Sequence, residues 1–176
     1  MFVWVDIETT GLDFKKDKVL EVAFVITNDD LEPIGTTTHL VKTKKRHLRN
    51  LDPYVQEMHT KSGLLADLAA EPAGTLGEVE EYLLTWLDQY EVPKGLPICG
   101  SSVHFDRRFL ERDMAKLMKR FGYRNVDVST LGELTKRWNG SAYSEWRKNG
   151  SETAHRALDD IYASIRQLKF HKELGL

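Results

Sequence analysis

Cysteine is almost missing from this 176-residue chain: Cys99 stands alone. No internal disulfide framework can therefore brace the fold, and a single thiol fits a reducing cytoplasm. Cys99 lies in the apolar run Leu96-Pro-Ile-Cys. It reads as a core residue, a reactive thiol being the alternative. Long hydrophobic runs are missing too. No apolar stretch suffices to span a bilayer, and the opening Met-Phe-Val-Trp-Val-Asp has no charged leader of the signal-peptide kind. The expectation is a cytoplasmic protein without membrane association. A basic excess is also lacking: 25 Lys and Arg face 27 Asp and Glu, for a net charge of -2. Chains that grip long nucleic acid usually carry such an excess, so a nucleic-acid ligand would have to be short or held locally. There is no internal repeat, low-complexity tract or linker. With 41% hydrophobic and 30% charged residues, residues 1–176 suit one domain with a sizeable core.

The local patterns predict a mixed α/β architecture. Residues 1 to 7 read as a strand with Phe2, Trp4, Asp6 and Glu8 on one side and Val3, Val5 and Ile7 on the other. Apolar residues on both sides suggest a central strand covered on both faces. Thr9-Thr-Gly11 is a turn signal, residues 19 to 27 form a β-branched strand interrupted by Glu21, and residues 34 to 42 form a Thr-rich third strand. Short turns between them allow an antiparallel meander. Thr75 and Glu78 fit a capping box opening a helix with Val79, Leu83, Trp86, Leu87 and Tyr90 at helical spacing. Residues 96 to 99 suit a short buried strand. One amphipathic helix is predicted from Phe105 to Phe121, with Gly122 as its C-cap. Val126 and Val128 suggest a strand, and Thr130 with Glu133 a second capping box for a helix reaching Trp138. Residues 140 to 150 read as a polar loop, and Leu158, Ile161, Ile165 and Leu168 mark a last helix. A meander followed by alternating helices and strands argues an α/β sandwich around a mixed sheet.

Asp6 and Glu8 are two apart on a predicted strand, so both carboxylates leave one face. Paired acids in an apolar strand are costly unless a cation offsets them. Asp106 alone could simply favour a helix N-terminus, as could Asp159 and Asp160, and His155 alone could be a surface or capping histidine. Together these residues form an ordered set: Asp-x-Glu early, an Asp in the middle, and His155 with Asp160 five residues on.

That set resembles the DEDDh branch of the DnaQ-like 3′→5′ exonucleases, and the flanking motifs resemble the oligoribonuclease family within it. They are Met58-His-Thr-Lys-Ser-Gly-Leu64, Gly100-Ser-Ser with Asp-Arg-Arg-Phe-Leu110, Tyr123-Arg-Asn-Val-Asp-Val-Ser-Thr-Leu131, and Glu133-Leu-Thr-Lys-Arg-Trp138. The resemblance runs over nearly the whole chain. It implies a ribonuclease H-like fold with a mixed central sheet flanked by helices. It also implies hydrolysis of short RNA, notably dinucleotides, from the 3′ end. Asp6, Glu8, Asp106 and Asp160 would hold two Mg²⁺ or Mn²⁺ ions, with His155 as general base; Asp159 is the alternative to Asp160, chosen against on the five-residue step from His155. Hard cations of this kind take oxygen ligands, and two side by side suit phosphoryl chemistry.

Carried over by motif, Ser102, Arg124, Ser129 and Thr130 would cap a terminal 5′ phosphate, for which an arginine fork is well shaped. Simple helix capping is the other reading of Ser129 and Thr130. Leu12 matches the residue that wedges between bases and Tyr54 a stacking aromatic, often Trp in relatives. His59 matches a histidine near the site. Tyr123 matches a tyrosine reaching a neighbouring subunit's pocket, which implies a two-fold homodimer. The chain departs from the family pattern at Thr9, where many members carry Met, at Ser101 in place of a frequent Asn, and at His104-Phe105 before Asp106. Such changes could widen the substrate range, and a proofreading-like or RNase T-like exonuclease acting on longer DNA or RNA ends is the alternative function. The basic residues between 42 and 49 read either as a solvated loop or as a phosphate-attracting rim.

Overall fold

A computed structural model describes residues 1–70, 73–148 and 154–175. Three antiparallel strands open the chain: β1 (Phe2–Thr9), β2 (Val19–Thr27) and β3 (Pro33–Leu40). Two short strands, β4 (Ile98–Gly100) and β5 (Asn125–Asp127), extend the sheet in parallel on the other side of β1. The order β3-β2-β1-β4-β5 puts β1 at the centre, as its two-sided apolar pattern predicts. Val3, Val5 and Ile7 face one core layer, built with α4 (Leu76–Gln89) and α5 (His104–Asp113). Trp4 faces the other, with Ile161 and Ile165 of α9 (Ala157–Glu173). The Trp4 indole donates to Thr27 Oγ1 at 3.1 Å, so its polar edge is satisfied inside that layer. Cys99 is fully buried there, and burial pushes its thiol up to about 12, which makes it inert.

The remaining helices are α1 (Lys45–Arg49), α2 (Pro53–Lys61), α3 (Leu64–Ala70), α6 (Ala115–Met118), α7 (Val128–Trp138) and α8 (Gly140–Lys148). The capping box at Thr75 and Glu78 is present at the start of α4. Elsewhere the structure corrects the sequence expectations. The third strand stops at Leu40; Val41 still donates to Leu20 O, and it forms an isolated bridge to Gly74 on its other side. The single helix expected from Phe105 to Phe121 is broken at Met114. Glu80 of α4 supplies the cause, since its carboxylate accepts the Lys116 and Leu117 amides at 2.8 and 3.0 Å and caps a new helix there. Gly122 caps no helix; it lets two backbones meet, with its N–H on Leu96 O and Gly95 N–H on Arg120 O. Val128 opens α7 rather than lying in a strand, and the cap is Asp127, whose side chain accepts from Ser129 N–H. The Thr130–Glu133 box does not form, Glu133 pairing with Arg137 instead. Most of the polar stretch from 140 is helical: Asn139 Oδ1 accepts from Ala142 N–H, and Trp146 lies against Phe170 of α9. Asn149 and Gly150, the end of that expected loop, lie outside the described residues. The basic run is partly the short helix α1, with Lys42, Lys44, Lys45, Arg46 and Arg49 exposed.

A Cβ added at Gly122 would lie 2.5 Å from Gly95 O, a backbone atom that cannot swing aside. Gly122→Ala is therefore expected to cost about 1–3 kcal/mol by overpacking, measured by denaturant unfolding; a variant as stable as the parent would refute the close-approach reading.

Candidate active site

Asp6 and Glu8 stand on the same face of β1, and the first turn of α9 brings Asp160 onto them. One carboxylate oxygen from each of these three acids lies within 4.8 Å of the others. Asp159, one residue away, is exposed and outside the group. Asp106, in the first turn of α5, is buried, and its Oδ1 accepts the Ile7 amide of β1 at 3.0 Å. The fourth acid is thus tied to the same strand.

The electrostatics are those of an uncompensated cluster. Burial pushes Glu8 up to about 8, and the charges of Asp160, Glu21 and Asp106 push the same way against Arg156. Burial raises Asp106 to about 7 despite two backbone hydrogen bonds that oppose it. Asp6 is raised well above the carboxylate range by burial, then by Asp106 and Glu8. Asp160 is raised by burial too. An all-oxygen set whose members resist ionising together is what a hard divalent cation relieves.

His155 immediately precedes the N-cap of α9 and takes a left-handed backbone, φ 54°. It lines a hollow of about 360 Å³ with Tyr54, Glu57, Met58, Lys61, Ser62 and Ala154. Asp6 and Asp160 line a second, of about 290 Å³, with Ser101, Trp146 and Gln167 among its walls. A larger hollow of about 440 Å³, beside Glu21, His39 and Arg156, contains none of the four acids. Chemistry rather than size therefore locates the site.

The RNase_T family model, described as Exonuclease, matches residues 3–168. An oligoribonuclease of Hydrogenovibrio crunogenus is 40% identical over 173 residues, covering 97% of this chain and 91% of that protein. The oligoribonuclease of Streptomyces coelicolor is 41% identical over 174 residues, 97% of this chain and 84% of the relative. The chain belongs to the oligoribonuclease family. The mitochondrial oligoribonuclease of Mus musculus is also similar, at 39% identity over 97% of this chain and 71% of that one. Among solved structures, exonuclease I of Methylocaldum szegediense superposes with a TM-score of 0.72 at 20% identity, over 99% of this chain. The zinc-bound E. coli exonuclease I complex with single-stranded DNA gives 0.73 at 16% identity, also over 99%. This chain spans 40% of each of those structures, and the likeness establishes the ribonuclease H-like fold.

The other residues matched to oligoribonuclease motifs fall into separate groups. His59 of α2 is fully buried beside the acids. Its Nε2 must donate, because its partner at 2.8 Å is the Thr9 carbonyl. Among the described residues Nδ1 has no hydrogen-bond partner, and it lies 3.8 Å from Glu8 Oε2. Tyr54, on the same helix, is 70% exposed, and Leu12, in the segment between β1 and β2, is 83% exposed. Ser102 and Ser129 come together elsewhere: their hydroxyls are 3.4 Å apart, and Asp127 Oδ1 accepts both their amides and the Ser129 hydroxyl. Arg124 stacks over the ring of Tyr123, itself 81% exposed. Thr130 is exposed within α7. Sequence reasoning missed Asp127 as the organiser of this corner. It also took Glu21 only as an interruption of a strand, although a lone acid in an apolar run is itself a signal.

The sign of the pH dependence follows. In the unfolded chain Glu8 and Asp106 ionise near 4, whereas in the cation-free fold they do so at about 8 and about 7. Between those limits the folded state holds more protons, so stability must fall as pH rises. Melting curves in chelator are expected to shift down between about pH 5 and 8.5. Glu8→Gln should melt above the parent at pH 8, and a flat profile in both proteins would count against the clustered burial.

Proposed function

We propose that the chain hydrolyses RNA dinucleotides and similarly short oligomers to mononucleotides with two bound divalent cations, Mg²⁺ or Mn²⁺. The family makes it a 3′→5′ exoribonuclease of short oligoribonucleotides. The observation that carries the finer reading is the convergence of Asp6, Glu8 and Asp160, with Asp106 pinned to the same strand. These four carboxylates would hold the cations, which when bound supply positive charge to the phosphate and acidify a water. His155, on the wall of an open hollow, is the general base that removes the water's proton, the role an imidazole suits. His59 donates to the Thr9 carbonyl and so braces the turn after β1 next to Glu8.

Length selection falls to the corner around Asp127. Ser102, Ser129, Thr130 and Arg124 would grip a 5′ phosphate and leave no path for a longer strand. Ser129 already gives its hydroxyl proton to Asp127, and the Asp127 charge repels an anion. Arg124 is therefore needed to reverse the local sign, through a planar fork of donors. Leu12 would wedge between the bases and Tyr54 stack on one, since both stand free in solvent. Tyr123 projects enough to enter a partner's pocket, which gives a homodimer with shared sites. A cytoplasmic location suits this work. Among the described residues no helix is long and apolar enough to cross a membrane.

The test is a Mg²⁺ assay on RNA of two, five and twenty nucleotides, with matching single-stranded DNA. The dinucleotide is expected to be preferred; preference for the twenty-mer or for DNA would reject the length argument. Asp6→Ala should reduce turnover to background while the fold survives, and parental activity would remove Asp6 from the ligand set. Arg124→Ala should slow 5′-phosphorylated substrates by roughly ten- to a hundredfold, the worth of a charged hydrogen bond. Equal slowing with and without that phosphate would count against the cap.

A further inference from the structure

Glu21 is the only charged side chain of β2 and is 2% exposed. The strand register sets it directly across from Glu8. Its neutralising partner comes from the far end of the chain. The Arg156 Nε donates to both Glu21 oxygens at 3.2 and 3.3 Å, and Nη2 donates to Oε1 at 2.8 Å. The same carboxylate accepts the Ala157 amide at 2.9 Å. Arg156, the N-cap residue of α9, makes no side-chain cap of its own. A strand acid thus caps the helix that carries Asp160, and the negative charge sits at the favourable end of its dipole.

The third guanidinium nitrogen points the other way. Nη1 lies 2.8 Å from Asp67 Oδ2 on α3 and 3.4 Å from the carbonyl of Ser62, the C-cap of α2. One side chain therefore joins β2, the N-terminus of α9 and the α2–α3 junction. His155 sits inside this lattice of contacts. On its N-terminal side the Ala154 amide is held by Asp160 Oδ1 at 3.0 Å; on its C-terminal side Arg156 and Ala157 are held by Glu21. A left-handed backbone at a non-glycine residue is strained and persists only where its neighbours are fixed. The same hollow that His155 lines has Tyr54 and Ser62 of the α2 segment on its wall.

We propose that Arg156 is a positioning residue of the nuclease: by bridging Glu21, Asp67 and Ser62 it fixes His155 against the α2 wall that carries Tyr54, and Asp160 against Glu8. Lysine cannot replace it, since one ammonium cannot serve carboxylates on opposite sides with the geometry of a planar fork. The assignment rests on the nuclease reading of the acid cluster but not on dinucleotide selectivity. It is accordingly tested with thymidine 5′-p-nitrophenyl phosphate, which requires only phosphodiester hydrolysis.

In Arg156→Lys, kcat is expected to fall by at least about tenfold, as sub-ångström misplacement of reacting groups does, with a melting temperature close to the parent's. Asp67→Ala, which cuts only the partly exposed leg, should raise KM more than it lowers kcat. Arg156→Ala should recover turnover when millimolar guanidinium is added, and ammonium at the same concentration should do nothing. A folded Arg156→Lys with parental kcat would overturn the proposal, as would a folded Arg156→Ala that guanidinium leaves unchanged. If Arg156→Ala does not fold, Arg156→Lys decides: parental kcat overturns the proposal, and the stated loss at a parental melting temperature supports it. Preference of the parent for long RNA in the length assay would fall on the substrate reading alone.

Discussion

Carboxylates that must be buried close together set the terms for the rest of this molecule. β1 runs through the middle of the sheet with an apolar layer on each side, so buried Glu8 and half-buried Asp6 leave it side by side at a fixed spacing. Packing of Val3, Val5 and Trp4 holds that strand in place. The fold thus keeps the acids together against their repulsion, an arrangement that compensating positive charge would relieve. The low proton affinity usual for carboxylates is lost here for the same reason.

Much of this was legible in the residues. Two-sided apolarity placed β1 at the centre, the β-branched run gave β2 to the residue, and the Thr75–Glu78 box opened α4. Asp160 was preferred to Asp159 by spacing, and the structure brings the former to the cluster. Most of what failed has one cause, partners distant in sequence; the α7 cap failed locally. Glu80 divides an otherwise continuous amphipathic helix by capping its second half. Asp127 takes the cap that Thr130 and Glu133 would have formed. Phe170 gives Trp146 a surface, and a polar stretch becomes helical. Gly122 looked like a helix end because glycine serves both there and where two backbones touch.

The site was legible as a set of acids, less so as a scaffold. Local sequence showed which residues bear chemistry; it could not show that Arg156 would reach Glu21 across 135 residues of chain. Nor could it show that two serines would share one aspartate oxygen. Such organising contacts use common residue types in ordinary contexts, and only tertiary proximity distinguishes them.

One detail of the sheet has a further bearing on the fourth acid. Pairing between β1 and β4 runs from Val3↔Ile98 to Trp4↔Cys99 and goes no further. The strands part there, and the Ile7 amide is met by Asp106 Oδ1 instead of by a backbone carbonyl. Asp106 thus satisfies with a buried side chain a strand amide that the ladder leaves open. Half of its carboxylate belongs to the scaffold, as half of Asp160's does, whose Oδ1 accepts the Ala154 amide. Two of the four acids are thus tethered through one oxygen each, one to the central strand and one to the segment before α9, and an asymmetry between them and Asp6 and Glu8 is built into the backbone.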